Sequence, residues 1–194
     1  MATIYVLMGK SASGKDTIYR RLLGHTELDL CPVVLYTTRP VRSGEEDGRD
    51  YHFVDEVRLR ELEAQGKVIE HRVYQTVHGA WHYFTVDDGQ ISLCGKRDYL
   101  MIDTLEGYLQ LRKYFGAEHV AALYVEVEDG LRLSRALERE RGQQHPRYAE
   151  LCRRFLADEE DFSPEKLSEA GVLTRYSNED LENCIQAIVA AVRA

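Results

Sequence analysis

A chain of 194 residues that is 44% hydrophobic and 30% charged has the balance of an ordinary globular protein, with room for one substantial core in one domain or in one domain with inserted lobes. Its formal net charge of −8 speaks against a general nucleic-acid or anionic-membrane surface. No apolar run approaches membrane-spanning length and residues 1–8 are too short for a signal peptide, so the expected location is cytoplasmic.

Residues 4–8 form a short apolar run of strand type, and the run ends on Gly9-Lys10-Ser11-Ala12-Ser13-Gly14-Lys15-Asp16-Thr17. This stretch fits Gly-x-x-x-x-Gly-Lys at every fixed position and departs at the next, where Asp16 stands for Ser or Thr. Ile18, Leu22 and Leu23 follow at the spacing of a helix resting on a sheet. Strand, glycine-rich turn and helix together predict a phosphate-binding loop. Its small residues let successive N–H groups curl around phosphate oxygens, the helix start adds unpaired donors, and Lys15 adds a point charge.

Residues 32–36 read as a second strand. Residues 37–53 are polar and broken by Pro and Gly, with Arg39 and Arg42 spaced to converge on one phosphate and Tyr51 as a hydroxyl donor. A short amphipathic helix is expected over residues 54–66, then paired strands at 68–74 and 81–86 joined by a turn at 77–80. His78 and His82 stand four apart, a metal-ligand spacing on a helix, but Gly79, Ala80, Trp81 and Tyr83 do not read as one. Cys31, Cys94, Cys152 and Cys184 contain no Cys-x-x-Cys pair and read as reduced, small core residues.

From Tyr99 an alternation of strands and helices returns. Residues 99–103 are an apolar run ending in Asp103, and Thr104 caps a helix with Leu105, Tyr108 and Leu109 inward. Residues 120–125 are a buried strand and a helix follows from about Leu131. The stretch 132–154 holds seven arginines against three glutamates, net +4 on a chain whose remainder is −12, which suggests a small polyanion held at one place or a solvated face of ion pairs. A break at 142–146 precedes a helical stripe of Tyr148, Leu151, Cys152, Phe155 and Leu156. Residues 173–176 are a weaker last strand, and Ser177 with Asp180 resembles a capping box ahead of a strong final helix. The fold class is therefore α/β, a mainly parallel sheet covered on both faces, interrupted by an inserted lobe at about 37–90 and a smaller flap at about 135–147.

The phosphate loop, together with Thr37-Thr38-Arg39-x-x-Arg42-x-Gly44-Glu45-x-x-Gly48-x-Asp50-Tyr51-x-Phe53, closely resembles the guanylate kinase family, and the likeness spans nearly the whole chain. It extends to Ile69-Glu70, the arginine-bearing segment 135–154 and Asn178. The resemblance implies a single domain over residues 1–194: a three-layer P-loop kinase core at about 1–36, 91–134 and 148–194, a nucleoside-monophosphate-binding lobe and an arginine-rich lid. It implies ATP-dependent phosphorylation of a nucleoside monophosphate, GMP or dGMP, with Mg²⁺ as cofactor, nucleotides as the only partners, no nucleic acid, no membrane, and a monomer or homodimer.

By the same resemblance, Gly9, Lys10, Ser11, Ala12, Ser13, Gly14, Lys15, Asp16, Thr17 and Asn178 bind ATP. Arg39, Arg42, Tyr51, Glu70, Tyr83, Thr85 and Asp103 bind GMP, with Glu70 accepting from the guanine N1–H and exocyclic amine. Lys15, Arg42, Arg135, Arg139 and Arg154 carry the phosphoryl transfer, and Asp16 binds Mg²⁺ directly or through water. The chain departs from the family at Leu35, where a serine usually meets the guanine O6, at Lys10 for a proline, at Asp16, and over residues 75–82. Two other readings stay open: a kinase of the same build with another small acceptor, and a non-catalytic module that recognises a phosphoprotein.

Overall fold

The computed structural model describes residues 2–42, 44–76 and 79–194, with Thr76 described at its backbone. The elements run β1 (Ile4–Met8), α1 (Lys15–Leu23), β2 (Leu30–Pro32), β3 (Tyr36–Thr37), β4 (His52–Phe53), α2 (Glu56–Ala64), β5 (Val68–Thr76) and β6 (Gly79–Val86). They continue with β7 (Asp98–Ile102), α3 (Leu105–Phe115), a 3₁₀ turn (Ala117–His119), β8 (Val120–Glu126) and α4 (Asp129–Arg141). The chain closes with α5 (Tyr148–Asp161), α6 (Pro164–Glu169), β9 (Arg175–Ser177) and α7 (Leu181–Val192).

Five strands form one sheet in the order β2-β7-β1-β8-β9, and every pairing in it is parallel. Side chains alternate across a strand, so β1 sends Ile4, Val6 and Met8 to one face and Leu7 to the other. The first face packs on Leu105, Tyr108 and Leu111 of α3 and Leu167 of α6. The second packs on Ile18 and Leu22 of α1 and on Ile185 and Ile188 of α7. Helix, sheet, helix are thus three layers, which is why these strands read as continuous apolar runs. In such a sheet ligands gather at the carboxyl ends of the strands, where Gly9, Asp103 and Asn178 follow β1, β7 and β9.

A second sheet of four strands, β4-β3-β6-β5, lies between residues 36 and 86. One of its faces packs Phe84 and Val86 on Leu59 and Leu62 of α2, a helix capped by the Asp55 side chain. The other face carries Glu70 paired with Thr85, then Arg72 paired with Tyr83, then Tyr74 paired with Trp81. Polar and aromatic groups of the sort a nucleotide needs therefore share one side of a small sheet.

Several local expectations are corrected. The run 32–36 is not one strand: Pro32 ends β2 beside Leu100, and Tyr36 opens β3 beside Phe84 in the other sheet. Gln90 bonds the backbone of Val34 as the chain crosses between them. The helix expected from Leu131 starts at Asp129, because the Glu128 carboxylate accepts the N–H groups of Gly130 and Leu131. The α5 stripe covers no core: Tyr148 is 47% and Leu156 69% exposed, and Phe155 serves instead as a platform for Arg132. Cys152 lies on that exposed helix and Cys94 in a loop; both are exposed, and only Cys184 is buried. Ser177 closes β9, and the cap of α7 is Asp180 alone, which accepts from Asn183. Helix α6, capped by Ser163 with Pro164 at its start, has no counterpart among the expected elements. The expected turn at 77–80 and the His78 side chain fall partly or wholly outside the described residues; Gly79 and Ala80 already belong to β6.

Candidate active site

The phosphate loop turns from β1 into α1 through Gly14, which sits in the left-handed region at φ 87° and caps α1 without a side chain. A Cβ at Gly14 would also lie closer than 3.0 Å to the Asn178 amide, so both the conformation and the space demand glycine. Asn178 donates to the Ser13 carbonyl at 2.7 Å and pins the loop to the end of β9. Ala12 takes a positive φ of 63°, a local strain that a tightly curled loop stores. The buried Ser13 hydroxyl and the side-chain Oδ1 of Asn178 have no partner among the described residues.

Lys15, Asp16 and Thr17 line a cavity of about 190 Å³ with Ala12, Gly14, Arg135 and Arg139. Burial holds the Lys15 ammonium below its usual pKa, against the pull of Asp16 and Asp158. Arg135 donates to the Asn178 carbonyl at 3.0 Å, so this arginine meets the loop from α4. Three cations around one small cavity are suited to a polyphosphate. A larger neighbouring hollow of about 370 Å³ is lined by Glu126, Glu128, Asp129 and Glu179 against Lys10 alone, and its charge disfavours phosphate. Arg154 lies elsewhere: it is half exposed, bonded at 2.8 Å to Glu150 one turn back on α5.

Residues that sequence reasoning did not single out hold the loop from behind. Arg132 is 1% exposed and reaches three carboxylates, Asp129 at 2.9 Å, Asp158 at 3.1 Å and Glu159 at 2.6 Å, while stacking 4.0 Å over Phe155. Asp158 in turn accepts the Ser11 N–H at 2.8 Å, and both oxygens of Glu159 also accept from Lys10 at 2.7 Å. The substitution at Lys10 is thus an ion pair to α5. The signal was present as an Asp129–Arg132 spacing of i, i+3 and an Asp-Glu pair on a helix begun by arginines, but no periodicity says that these meet.

The residues expected to meet the acceptor lie on or beside the second sheet. Arg39, 3% exposed, sends two forked nitrogens to the Glu45 oxygens, each at 2.7 Å, and lies 4.9 Å over the Tyr51 ring. Those bonds, with the Arg42 N–H also donating, hold the Glu45 carboxyl down to about 2. The Arg42 guanidinium lies 6.0 Å from the Trp81 ring. Tyr83 stands edge-on between Tyr51 at 5.7 Å and Tyr74 at 5.4 Å, forming an aromatic wall beside the arginines.

Glu70 is buried at the inner end of this face, accepting from the Thr85 hydroxyl at 2.8 Å and from Arg72 Nε at 2.9 Å. Arg72 Nη1 lies 2.7 Å from Asp103 Oδ1, which also accepts the Thr104 N–H. One guanidinium therefore bridges Asp103 and Glu70. The Asp103 carboxyl is pushed up to about 7, chiefly by burial, and its Oδ2 has no hydrogen-bond partner among the described residues. Leu35 packs in the apolar cluster with Ile69 and offers no hydrogen bond from its side chain. Among the described residues no group of three or more His, Cys, Asp or Glu converges as a metal site, and no helix is long and apolar enough to cross a membrane.

The family model described as guanylate kinase matches residues 1–163. The guanylate kinase of Nitrosomonas europaea is 27% identical over 194 residues, which span 100% of this chain and 90% of that protein. A shorter match, to the guanylate kinase of Alkalilimnicola ehrlichii, is 45% identical over 69 residues, 36% of this chain and 34% of that one. In three dimensions the chain is similar to the crystal structure of guanylate kinase from Anaplasma phagocytophilum, with a TM-score of 0.65 over 99% of this chain and 85% of that one. At 24% identity that likeness speaks to the fold.

Proposed function

The chain belongs to the guanylate kinase family, and we propose that it transfers the γ-phosphoryl group of ATP to GMP, or to dGMP, leaving ADP and the diphosphate. What supports this reading most is that the chain carries two groups suited to anions, the phosphate loop with its arginines and the Arg39–Tyr51 pair. The Asp16 carboxylate of the loop is close enough to help raise the Tyr51 hydroxyl above its usual pKa, after burial and Tyr83. A phosphate oxygen of GMP attacks the γ-phosphorus as the bond to the bridging oxygen of ADP breaks. Such a reaction needs positioning and charge neutralisation more than covalent help.

In this reading Lys15, Arg135 and Arg139 take the charge of the triphosphate, and the loop amides and Asn178 shape its seat. Arg39, Arg42, Tyr51 and Tyr83 hold the acceptor phosphate. Glu70 accepts from the base, with Thr85 and Asp103 completing its surroundings. Closure of a lobe at about 37–90 and a lid at about 135–147 over the core would exclude water. Arg154, paired with Glu150 at the surface, would join on closure.

Mg²⁺ fits the residues present: it commonly keeps several waters and takes one or two carboxylates plus substrate phosphates, and Asp16 supplies an oxygen donor in the cavity beside Lys15. When bound it supplies further charge neutralisation at the phosphates. The setting would be the cytoplasm, which keeps four unpaired thiols reduced. All the residues invoked lie on one chain, so a monomer suffices. The test is a coupled ADP-release assay across GMP, dGMP, AMP, CMP and UMP. Turnover should favour the guanine nucleotides, and GMP used no better than the others would overturn the base assignment.

A further inference from the structure

Three ionisable side chains, Glu70, Arg72 and Asp103, meet at the inner end of the polar face of the second sheet. Glu70 and Asp103 come from different sheets, one from β5 and one from the end of β7, and the side chains of both are 0% exposed. Arg72, 9% exposed, lies between them, with Nε and Nη2 on the two oxygens of Glu70 at 2.9 and 3.4 Å and Nη1 on Asp103 at 2.7 Å.

A guanidinium in that place is not needed to fill the sheet, since it stands on the polar face beside Tyr83 rather than on the face that packs against α2. Two carboxylates in one desolvated pocket repel each other and favour uptake of a proton by one of them. A protonated carboxyl cannot accept from two adjacent N–H groups of a base. A cation between them opposes this, and it must stay charged when buried, which a guanidinium does and an ammonium does less well. Burial pushes the Arg72 pKa down, but Asp103 and Glu70 outweigh it and raise it.

We propose that Arg72 is a positioning residue for acceptor-base recognition: by bridging Glu70 and Asp103 it keeps the two carboxyl groups aligned and offsets their repulsion, and so sets the pH range over which the base is read. The groups facing it are Glu70 and Tyr74 on its own strand, Tyr83 and Thr85 on β6, and Asp103 with Thr104 at the end of β7. Tyr51 also feels its charge across the cleft. Among the described residues facing it, only Glu70 and Asp103 carry carboxyl groups.

The proposal rests on Glu70 as the base receptor, and the experiment separates the two. KM and kcat for GMP, and KM for ATP, are measured from about pH 6 to about pH 8.5 for the wild type, Arg72→Met, Arg72→Lys and Glu70→Gln. Arg72→Met should raise KM for GMP about tenfold or more at neutral pH, move the midpoint of the kcat/KM profile up by about one unit or more, and leave KM for ATP unchanged. Arg72→Lys should keep the midpoint within about half a unit. If Arg72→Met does not fold, Arg72→Gln carries the same expectation with a polar head group. An unchanged profile in the neutral variant, or equal losses for GMP and ATP, overturns the proposal. If Glu70→Gln leaves KM for GMP unchanged, the base-receptor reading fails first; if it impairs GMP while the neutral Arg72 variant does not, only the role of Arg72 fails.

Discussion

Arg132→Met removes the one cation on which Asp129, Asp158 and Glu159 converge while keeping most of its apolar stem over Phe155. Breaking a buried ion pair by deleting one partner costs about 3–5 kcal/mol, because the other charge stays behind. Here Asp129 and Glu159 are 49% and 40% exposed, and Lys10 still lies 2.7 Å from Glu159, so water and lysine relieve part of the loss. The lower end, about 3 kcal/mol, follows; for a domain of this size that is a fall in Tm of about 6–12 °C. Urea unfolding should show the loss at an unchanged m-value, and KM for ATP should rise because Asp158 no longer holds the Ser11 amide in a fixed place. A Tm within about 2 °C of wild type would refute the view that this cluster anchors the phosphate loop.

Gly14→Ala should abolish ATP binding in titration calorimetry while GMP binding persists, since the residue has a φ of 87° and its Cβ would collide with Asn178. Gly107→Ala should do the opposite: a Cβ there would lie closer than 3.0 Å to the Asp103 carboxylate, so KM for GMP should rise with KM for ATP unchanged. Asp103, raised to about 7, binds a proton in the folded chain that the unfolded chain releases at about pH 4, so its contribution to stability is full below about pH 4, declines to about pH 7, and is lost above. The stability difference between Asp103→Asn and wild type should therefore shift toward the variant between pH 5 and 8, as read by denaturant unfolding at about one-unit steps; a flat difference would mean that Asp103 keeps its ordinary pKa.

The sequence made the central sheet and the phosphate loop legible because both rest on local signals. Ile4, Val6 and Leu7 lie in an apolar run, and Gly14-Lys15 follows at a spacing that only a few structures use. Arg39 and Tyr51 stand out in a polar loop and the resemblance adds Glu70, but the packing of Arg39 on Tyr51 and of Glu70 on Thr85 depends on folding that no window of sequence shows. Periodicity failed in two informative ways. The run 32–36 is uniformly apolar, so nothing in it says that Pro32 and Tyr36 belong to different sheets. The stripe on α5 has the spacing of a packed helix, yet its work is done by Asp158, Glu159 and Phe155, which hold Arg132 and the loop. Amphipathic spacing reports a face, not what lies against it.

The same limit explains Arg72. Read along the chain it is one charge in an alternating strand, and only the register with Tyr83 and the approach of Asp103 from the other sheet make it part of the site.

The most direct test of the account is phosphorus NMR of the protein with ATP, Mg²⁺ and GMP. The account predicts that GDP and ADP appear together in equal amounts, with no inorganic phosphate beyond the background without GMP. ATP consumed to inorganic phosphate without GDP, or GMP left unchanged beside intact ATP, would contradict it.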